Sequence, residues 1–278
     1  MRASLEALIR EALAEDVGQG DVTTDSTVDA GSRCRAVLTA KQDGVLSGIS
    51  VYRVVFDVLD TGIAKWSSLG DGEAFAAGGA VASFEGNTRA VLTGERVALN
   101  FVQRLSGIAT LTSKFVKAVN GTGARICDTR KTTPLLRRLE KDAVVHGGGT
   151  NHRFALFDGV LIKENHIVGA GGIAEAYRRA VQGTHHLMRV EVEVTNLEEL
   201  DEALDAGADA ILLDNMDLEQ MREAVERTRG TKTILEASGN MTLERVRAVA
   251  ETGVHVISVG ALTHSAPAID LSLKIANV

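Results

Sequence analysis

Cysteine, proline and aromatic residues are all scarce in this chain. The two cysteines among 278 residues, Cys34 and Cys127, stand far apart with no framework spacing. A disulfide-stapled scaffold is excluded, and reduced thiols in a cytosolic protein are expected. Aromatics make up 4% of the residues, so the core must be built mostly from Ala, Val, Leu and Ile. Two prolines beside 28 glycines suit an α/β architecture with many short connections. No window reaches the apolar length of a membrane-spanning helix. The N-terminal stretch has Leu5, Leu8, Ile9, Ala12 and Leu13 on one helical face, but no continuous apolar run. Its Glu6, Glu11, Glu15 and Asp16 argue against a secretory or transit signal, so a cytoplasmic location is expected. The net charge is -7 and no basic patch is interleaved with aromatics, which argues against nucleic acid as a partner.

Positive charge is nevertheless concentrated in one place. Residues 128–166 hold Arg130, Lys131, Arg137, Arg138, Lys141, His152, Arg153 and Lys163, with the run Gly147-Gly148-Gly149. An arginine fork suits carboxylate or phosphate oxygens, and lysine adds a point charge. A small, highly anionic substrate is implied. Part of this charge has a simpler reading. Arg137, Arg138 and Lys141 follow Pro134 in a helical pattern and read as a solvated helix face. Arg130 and Lys131 instead stand where a short strand meets that helix.

The chain divides near residue 108. Residues 1–16 read as a helix, residues 33–86 as a sheet with glycine turns and one helical stretch, and residues 88–119 as helical with Gly107 as a break. From residue 125 a strand–helix unit repeats, with candidate strands at 125–128, 158–163, 189–194, 210–214, 233–236 and 255–259. Capping signals Thr195-x-x-Glu198 and Asp217-x-x-Gln220 open two of the later helices. Six such units imply parallel strands with right-handed crossovers, in a barrel-like or an open doubly wound sheet. The first strand is not followed by a dinucleotide-type glycine fingerprint, which disfavours the doubly wound option.

Polar residues recur at the C-terminal ends of these strands: Lys163, Glu193, Asp214, Glu236, then Gly260. In α/β barrels that rim carries the reactive groups. The strand RVEVEV alternates valine with Glu191 and Glu193. If the valines face the helices, both carboxylates face the interior, where each needs a cation or a metal; an edge strand with a wet face would alternate in the same way. Lys131 and Lys163 are candidate partners. The turns at Ser238-Gly239 and Gly260, in the last two units, are where backbone amides of a barrel often hold phosphate. His264 lies close in sequence.

With these residues placed, the chain resembles the quinolinate phosphoribosyltransferase family. The likeness runs through ALAEDVGQGDVTT, ERVALNFVQRLSGIAT, DTRKTTP, GGGTNHRFALFDGVLIKENH, VEVEV, ILLDN, LEASGN and VGALTHS. It implies an N-terminal α/β sandwich-like domain (1–108) and an incomplete α/β barrel of about six parallel strands (109–278), whose C-terminal tail has room to pack back on the first domain. It implies that Arg104, Arg130, His152 and Arg153 hold the two carboxylates of quinolinate, with Lys163 beside them. Lys131 and Lys163 would meet phosphoribosyl pyrophosphate. Glu193 and Asp214 would face its ribose and Mg²⁺, and Ser238, Gly239, Gly260 and His264 its 5′-phosphate. Homodimers or higher oligomers are implied, with Arg104 reaching the neighbouring subunit's site. Leu135 and Ala155 depart from usual glycine positions. The implied reaction gives nicotinate mononucleotide, pyrophosphate and CO₂. Three rivals stand beside it: a Schiff-base aldolase-like barrel using Lys131 or Lys163, a non-catalytic phosphate-ligand sensor, and a transferase for another pyridine acid such as nicotinate.

Overall fold

The computed structural model describes residues 2–278. Its first elements are α1 (Arg2–Val17), α2 (Val22–Thr27), β1 (Arg33–Ala40), β2 (Gly44–Val45), α3 (Ile49–Val58), β3 (Ala64–Ser68), β4 (Ala74–Phe75), β5 (Ala80–Asn87) and α4 (Thr88–Ala118). There follow β6 (Arg125–Cys127), α5 (Arg137–His146), β7 (Val160–Ile162), α6 (Glu164–Ala170), α7 (Ile173–Gly183), β8 (Val190–Val194), α8 (Leu197–Asp205), β9 (Ala210–Asp214), α9 (Leu218–Arg227), β10 (Ile234–Ser238), α10 (Leu243–Ala250), β11 (Val256–Ser258), α11 (Ala261–His264) and β12 (Leu271–Asn277). Among the described residues no helix is long and apolar enough to cross a membrane.

Two compact units result. The first takes residues up to Leu111, with Val145–Gly147 and Ala266–Val278; the second takes Thr112–Val144 and Gly148–Ser265. In the first unit an antiparallel sheet runs β12-β1-β5-β3. Few as they are, the aromatics cluster here. Phe56 on α3 packs at 4.9 Å from Phe84, which stacks at 5.5 Å on Trp66. Such pairs add to the burial of their rings, so a core otherwise built from small aliphatics gains a rigid centre.

Gly107 does not break α4, which is one continuous helix of 31 residues. A Cβ there would lie 2.1 Å from the carbonyl oxygen of Pro267. The glycine therefore lets the C-terminal tail cross the helix closely. Gln103 fastens the tail on either side: its carbonyl accepts from the Ile269 amide at 3.0 Å, and its side-chain amide donates to the Leu271 carbonyl at 2.8 Å.

In the second unit six parallel strands take the order β6-β11-β10-β9-β8-β7. Every successive strand from β7 to β11 pairs with the next, and β11 returns to β6. Only a β6–β7 pairing is lacking, which is the order of a barrel one seam short of closure. Amphipathic helices separate the strands. Asp217 caps α9 by accepting from the amides of Glu219 and Gln220, in a reciprocal box with Gln220. At α8 the cap is Asn196 rather than Thr195: Asn196 Oδ1 accepts from the Glu199 amide at 2.9 Å. Asparagine caps at least as well as threonine, and Glu199 then reaches back to the Thr195 amide at 2.7 Å.

Candidate active site

The connection from β6 to α5 starts the site. Lys141 on α5 is not part of a solvated face: it is 2% exposed and ion-paired with Asp128, whose side chain is 0% exposed. The two clamp the chain at His152. Asp128 Oδ1 accepts the His152 amide at 2.9 Å, and Lys141 Nζ donates to the His152 carbonyl at 3.0 Å. Burial pushes the Asp128 carboxyl above its ordinary range, and the Lys141 ammonium opposes that rise. Arg137 also has a fixed task. Its guanidinium donates to Thr132 Oγ1 at 2.9 Å and to the Phe154 carbonyl at 3.2 Å, tying the turn after β6 to the loop before β7. Of the three charges read as a solvated face, only Arg138 fits, loosely paired with Asp142 at 3.9 Å and well exposed. Leu135 sits at φ +67° and is 88% exposed, so this chain accepts backbone strain where glycine would relieve it.

This clamp holds Arg153 within reach of the Arg130 charge. Burial first, and the neighbouring Arg130 charge second, lower the Arg153 pKa. Arg153 Nη1 is anchored on the Gly159 carbonyl at 2.8 Å. Arg130 Nε is buried and meets no hydrogen-bond acceptor among the described residues. Two like charges held together with an unsatisfied donor between strand ends make a strong demand for an anion.

The remaining rim residues divide into two groups. Lys163, at the end of β7 and the start of α6, pairs with Glu193 of β8 at 2.7 Å. Around the last strands, Lys131 Cδ and the His264 ring flank the spot where a Gly260 Cβ would stand, at 3.1 and 3.3 Å. Thr263 Oγ1 donates to the Lys131 carbonyl at 2.8 Å, which fixes the lysine's backbone beside that turn. His264 Nδ1 lies 2.6 Å from Ser265 Oγ. Ser238 of β10 is in register with Asp214 of β9.

Asn215, a residue the sequence reading did not single out, joins those two strand ends. It donates to Asp214 Oδ2 at 2.9 Å and accepts from Asn240 Nδ2 at 3.2 Å. Gly239 adopts φ +94°, and a Cβ there would fall 2.1 Å from Asn215 Oδ1. Position 239 is therefore closed to any larger residue.

Beneath the guanidiniums lies an acidic floor. His152 Nε2 is 3.1 Å from Glu191 Oε2 and 3.6 Å from Glu236 Oε2. Its Nδ1 accepts the Arg153 amide at 2.8 Å. Glu191, first through its hydrogen bond, draws the His152 pKa above the ordinary range. The Arg153 amide requires a lone pair on Nδ1, so the hydrogen bonds specify the ring with its proton on Nε2. Burial, reinforced by the Glu191 charge, pushes Glu236 up to about 7. Cys127 is also buried here, and desolvation raises its thiol further from reactivity. His152, Glu191 and Glu236 place one ligand atom each within 4.8 Å of the others. The hydrogen bond from Nε2 to Glu191 already occupies that contact, so the group reads as a proton-linked network. Glu191 thus has an imidazole as its partner, whereas Glu193 has the lysine foreseen for it.

Arg104 stands on α4 in the first unit, with Nη1 3.5 Å from the Ala266 carbonyl. The second unit does not contain it.

Comparison with known proteins agrees along the whole chain. The family description "Quinolinate phosphoribosyl transferase, C-terminal domain" matches residues 108–274, and its N-terminal counterpart matches residues 21–106. A relative from Bacillus subtilis (strain 168), "Probable nicotinate-nucleotide pyrophosphorylase [carboxylating]", is 43% identical over 98% of this chain and 93% of its own length. A relative from Arabidopsis thaliana, "Nicotinate-nucleotide pyrophosphorylase [carboxylating], chloroplastic", is 42% identical over 98% of this chain and 82% of its own. The solved nicotinate-nucleotide pyrophosphorylase from Francisella tularensis superposes with a TM-score of 0.93 at 42% identity, covering 99% of this chain and 97% of that one.

Proposed function

The chain belongs to the quinolinate phosphoribosyltransferase family, and from that premise we infer how its second unit performs the transfer. The reaction moves a phosphoribosyl group from phosphoribosyl pyrophosphate to quinolinate, giving nicotinate mononucleotide, pyrophosphate and CO₂, a step of NAD biosynthesis. The observation that carries the reading is the Arg130–Arg153 pair, with a buried donor lacking an acceptor, beside glycine turns at the last strands. A dianionic ring fits the guanidiniums. The 5′-phosphate fits the amides around Ser238, Gly239 and Gly260, with His264 and Lys131 alongside.

The ring nitrogen is the nucleophile and attacks the anomeric carbon of the ribose as pyrophosphate leaves. No protein base is needed for that attack. Positive charge develops at the anomeric carbon, and the carboxylates of Glu193 and Asp214 stabilise it. Lys163, held by Glu193, and Lys131 stabilise charge building on the leaving pyrophosphate. The quaternised ring nitrogen then accepts the electron pair released when the adjacent carboxylate leaves as CO₂. The arginines act by position and substrate choice.

Glu193 and Asp214 offer oxygen donors at neighbouring strand ends, the donor type magnesium takes, commonly through one or two carboxylates plus substrate phosphates. When bound, Mg²⁺ would screen the diphosphate charge. The experiment is incubation of purified protein with quinolinate and phosphoribosyl pyrophosphate, with Mg²⁺ and after exhaustive chelation. Nicotinate mononucleotide and CO₂ in equal amounts are expected with the metal only. Full turnover after chelation would remove the metal from the reading, and absence of product with Mg²⁺ would remove the reaction. A borohydride-trapped adduct would favour the Schiff-base rival, and nicotinate turnover without CO₂ release the other pyridine acid.

The oligomer is inferred to be a homodimer or larger, with shared sites. Leu156 and Phe157 are exposed by 72% and 74%, in the loop that carries Arg153. Such apolar exposure suits a covered surface. Arg104 would then enter the neighbour's site. Mixing Arg104→Ala with Lys163→Ala under subunit exchange should restore activity, to about a quarter of wild type for random dimers. Persistent inactivity despite proven exchange would place Arg104 in its own subunit's chemistry or in the fold. The buried free thiols Cys34 and Cys127 fit a reducing compartment, and the cytoplasm is proposed.

A further inference from the structure

The acidic floor takes no part in the steps above, yet it is expensive. Two carboxylates, Glu191 at 8% and Glu236 at 5% exposure, stand buried among the barrel strands, where a charge is costly unless paired. Nothing in the transfer needs a base at that depth. What they touch is His152, and His152 is engaged at each of its polar groups: amide to Asp128, carbonyl to Lys141, Nδ1 to the Arg153 amide, Nε2 to Glu191. No ring nitrogen is left over for a carboxylate of the substrate.

We propose that Glu191 is a positioning residue for recognition of the diacid, acting through His152 on Arg153. This deepens the functional reading above and rests on it. The chain of contacts is short. Glu191 fixes the plane of the imidazole by accepting its Nε2 proton. The imidazole then presents Nδ1 to the Arg153 amide, which sets the backbone from which the guanidinium is aimed. The far end of that guanidinium is anchored on Gly159. Two guanidiniums that repel each other drift apart unless both backbones are held, and Arg130 lies two residues beyond Asp128, just past the end of β6. Glu236, 3.6 Å from the same Nε2, closes the other side of the ring and prevents its rotation away from Glu191.

His152 thus supports the cage from within, in place of the direct carboxylate contact expected from the family resemblance. The sequence places Glu236 on the C-terminal rim and Glu191 facing the interior, and gives neither a role toward the substrates. A charge flanked by valines in RVEVEV, or by leucine and alanine in TILEAS, is the signal that marks them.

The test is steady-state kinetics on Glu191→Leu, Glu191→Asn and Glu191→Gln, with folding followed by circular dichroism. Glu191→Leu removes the acceptor. Its KM for quinolinate should rise roughly tenfold, a fraction of what a bidentate charge-assisted contact supplies. The KM for phosphoribosyl pyrophosphate and kcat at saturating quinolinate should stay within about twofold, since uniform binding alone is lost. Glu191→Gln keeps an acceptor at the same reach and should restore the quinolinate KM. If Glu191→Leu does not fold, Glu191→Asn, which draws the acceptor back by one methylene, decides: a raised quinolinate KM supports the proposal and an unchanged one overturns it. A fall in kcat with quinolinate KM unmoved, or both KM values rising together, also overturns it. Wild-type turnover of quinolinate, measured alongside, separates failure of this proposal from failure of the functional reading.

Discussion

Lys141→Met should destabilise the protein by about 3–5 kcal/mol, the usual cost of removing one member of a fully buried ion pair. The magnitude follows from what remains. Asp128 keeps 0% side-chain exposure and loses its ion-pair partner, while the His152 carbonyl loses its donor. Methionine matches the aliphatic stem, so little of the loss comes from a cavity. Relief is available through protonation of Asp128, whose carboxyl burial already pushes upward. That limits the loss near neutral pH and makes it smaller in acid. Denaturant unfolding at fixed protein concentration measures it. Pairing Lys141→Met with Asp128→Leu should recover a large part, since an apolar pair of suitable size often replaces a buried ion pair with little penalty. A single-variant loss below about 1 kcal/mol, with no coupling in the double variant, would mean that the pair is not the clamp described.

The same residue shows what sequence periodicity can and cannot reach. The six strands of the barrel were readable because short strand-like runs recur between helical stretches from residue 125 on. The structure moves their bounds by at most two residues. Lys163 with Glu193, and the glycine turns at 238–239 and 260, were readable because their positions follow from that repeat. Lys141 was not. In LRRLEKDAVV a lysine three and four places after two arginines extends a polar stripe, and a hydropathy pattern has no means of setting it inside. Its partner lies 13 residues upstream on a strand end. The family resemblance alone sets His152 against the carboxylates of quinolinate. Its ring partner is 39 residues away, on a strand that approaches only when the barrel forms. Gly107 was read as a break, because a glycine inside a helix has no local reason to be there. The reason is the Pro267 carbonyl, which the tail brings to it. In each case the missed property is a tertiary contact between residues of ordinary local preference.

Stability relative to Glu236→Gln should depend on pH, and the sign can be fixed in advance. Burial and the Glu191 charge raise Glu236 from its ordinary 4.5 to about 7. Between those values the folded protein holds a proton that the unfolded chain has released. Stability therefore falls as pH rises through that window, and the loss is complete above about 7. At roughly 1.4 kcal/mol for each tenfold change in the ionisation constant, the full loss is on the order of 3 kcal/mol. Glu191, His152 and Asp128 face the same carboxyl. His152 adds to this dependence only by taking a second proton on Nδ1, which the hydrogen bond from the Arg153 amide opposes. Glutamine has the same shape and no proton to release, so it isolates the Glu236 share. Near pH 5 the two proteins should unfold at similar denaturant concentrations. Near pH 8.5 Glu236→Gln should be the more stable, with a gap that opens across the window set by Glu236. Parallel stability curves across this range would show that the carboxyl does not carry its proton in the fold, and that Glu191 and His152 share the acidic floor in some other way.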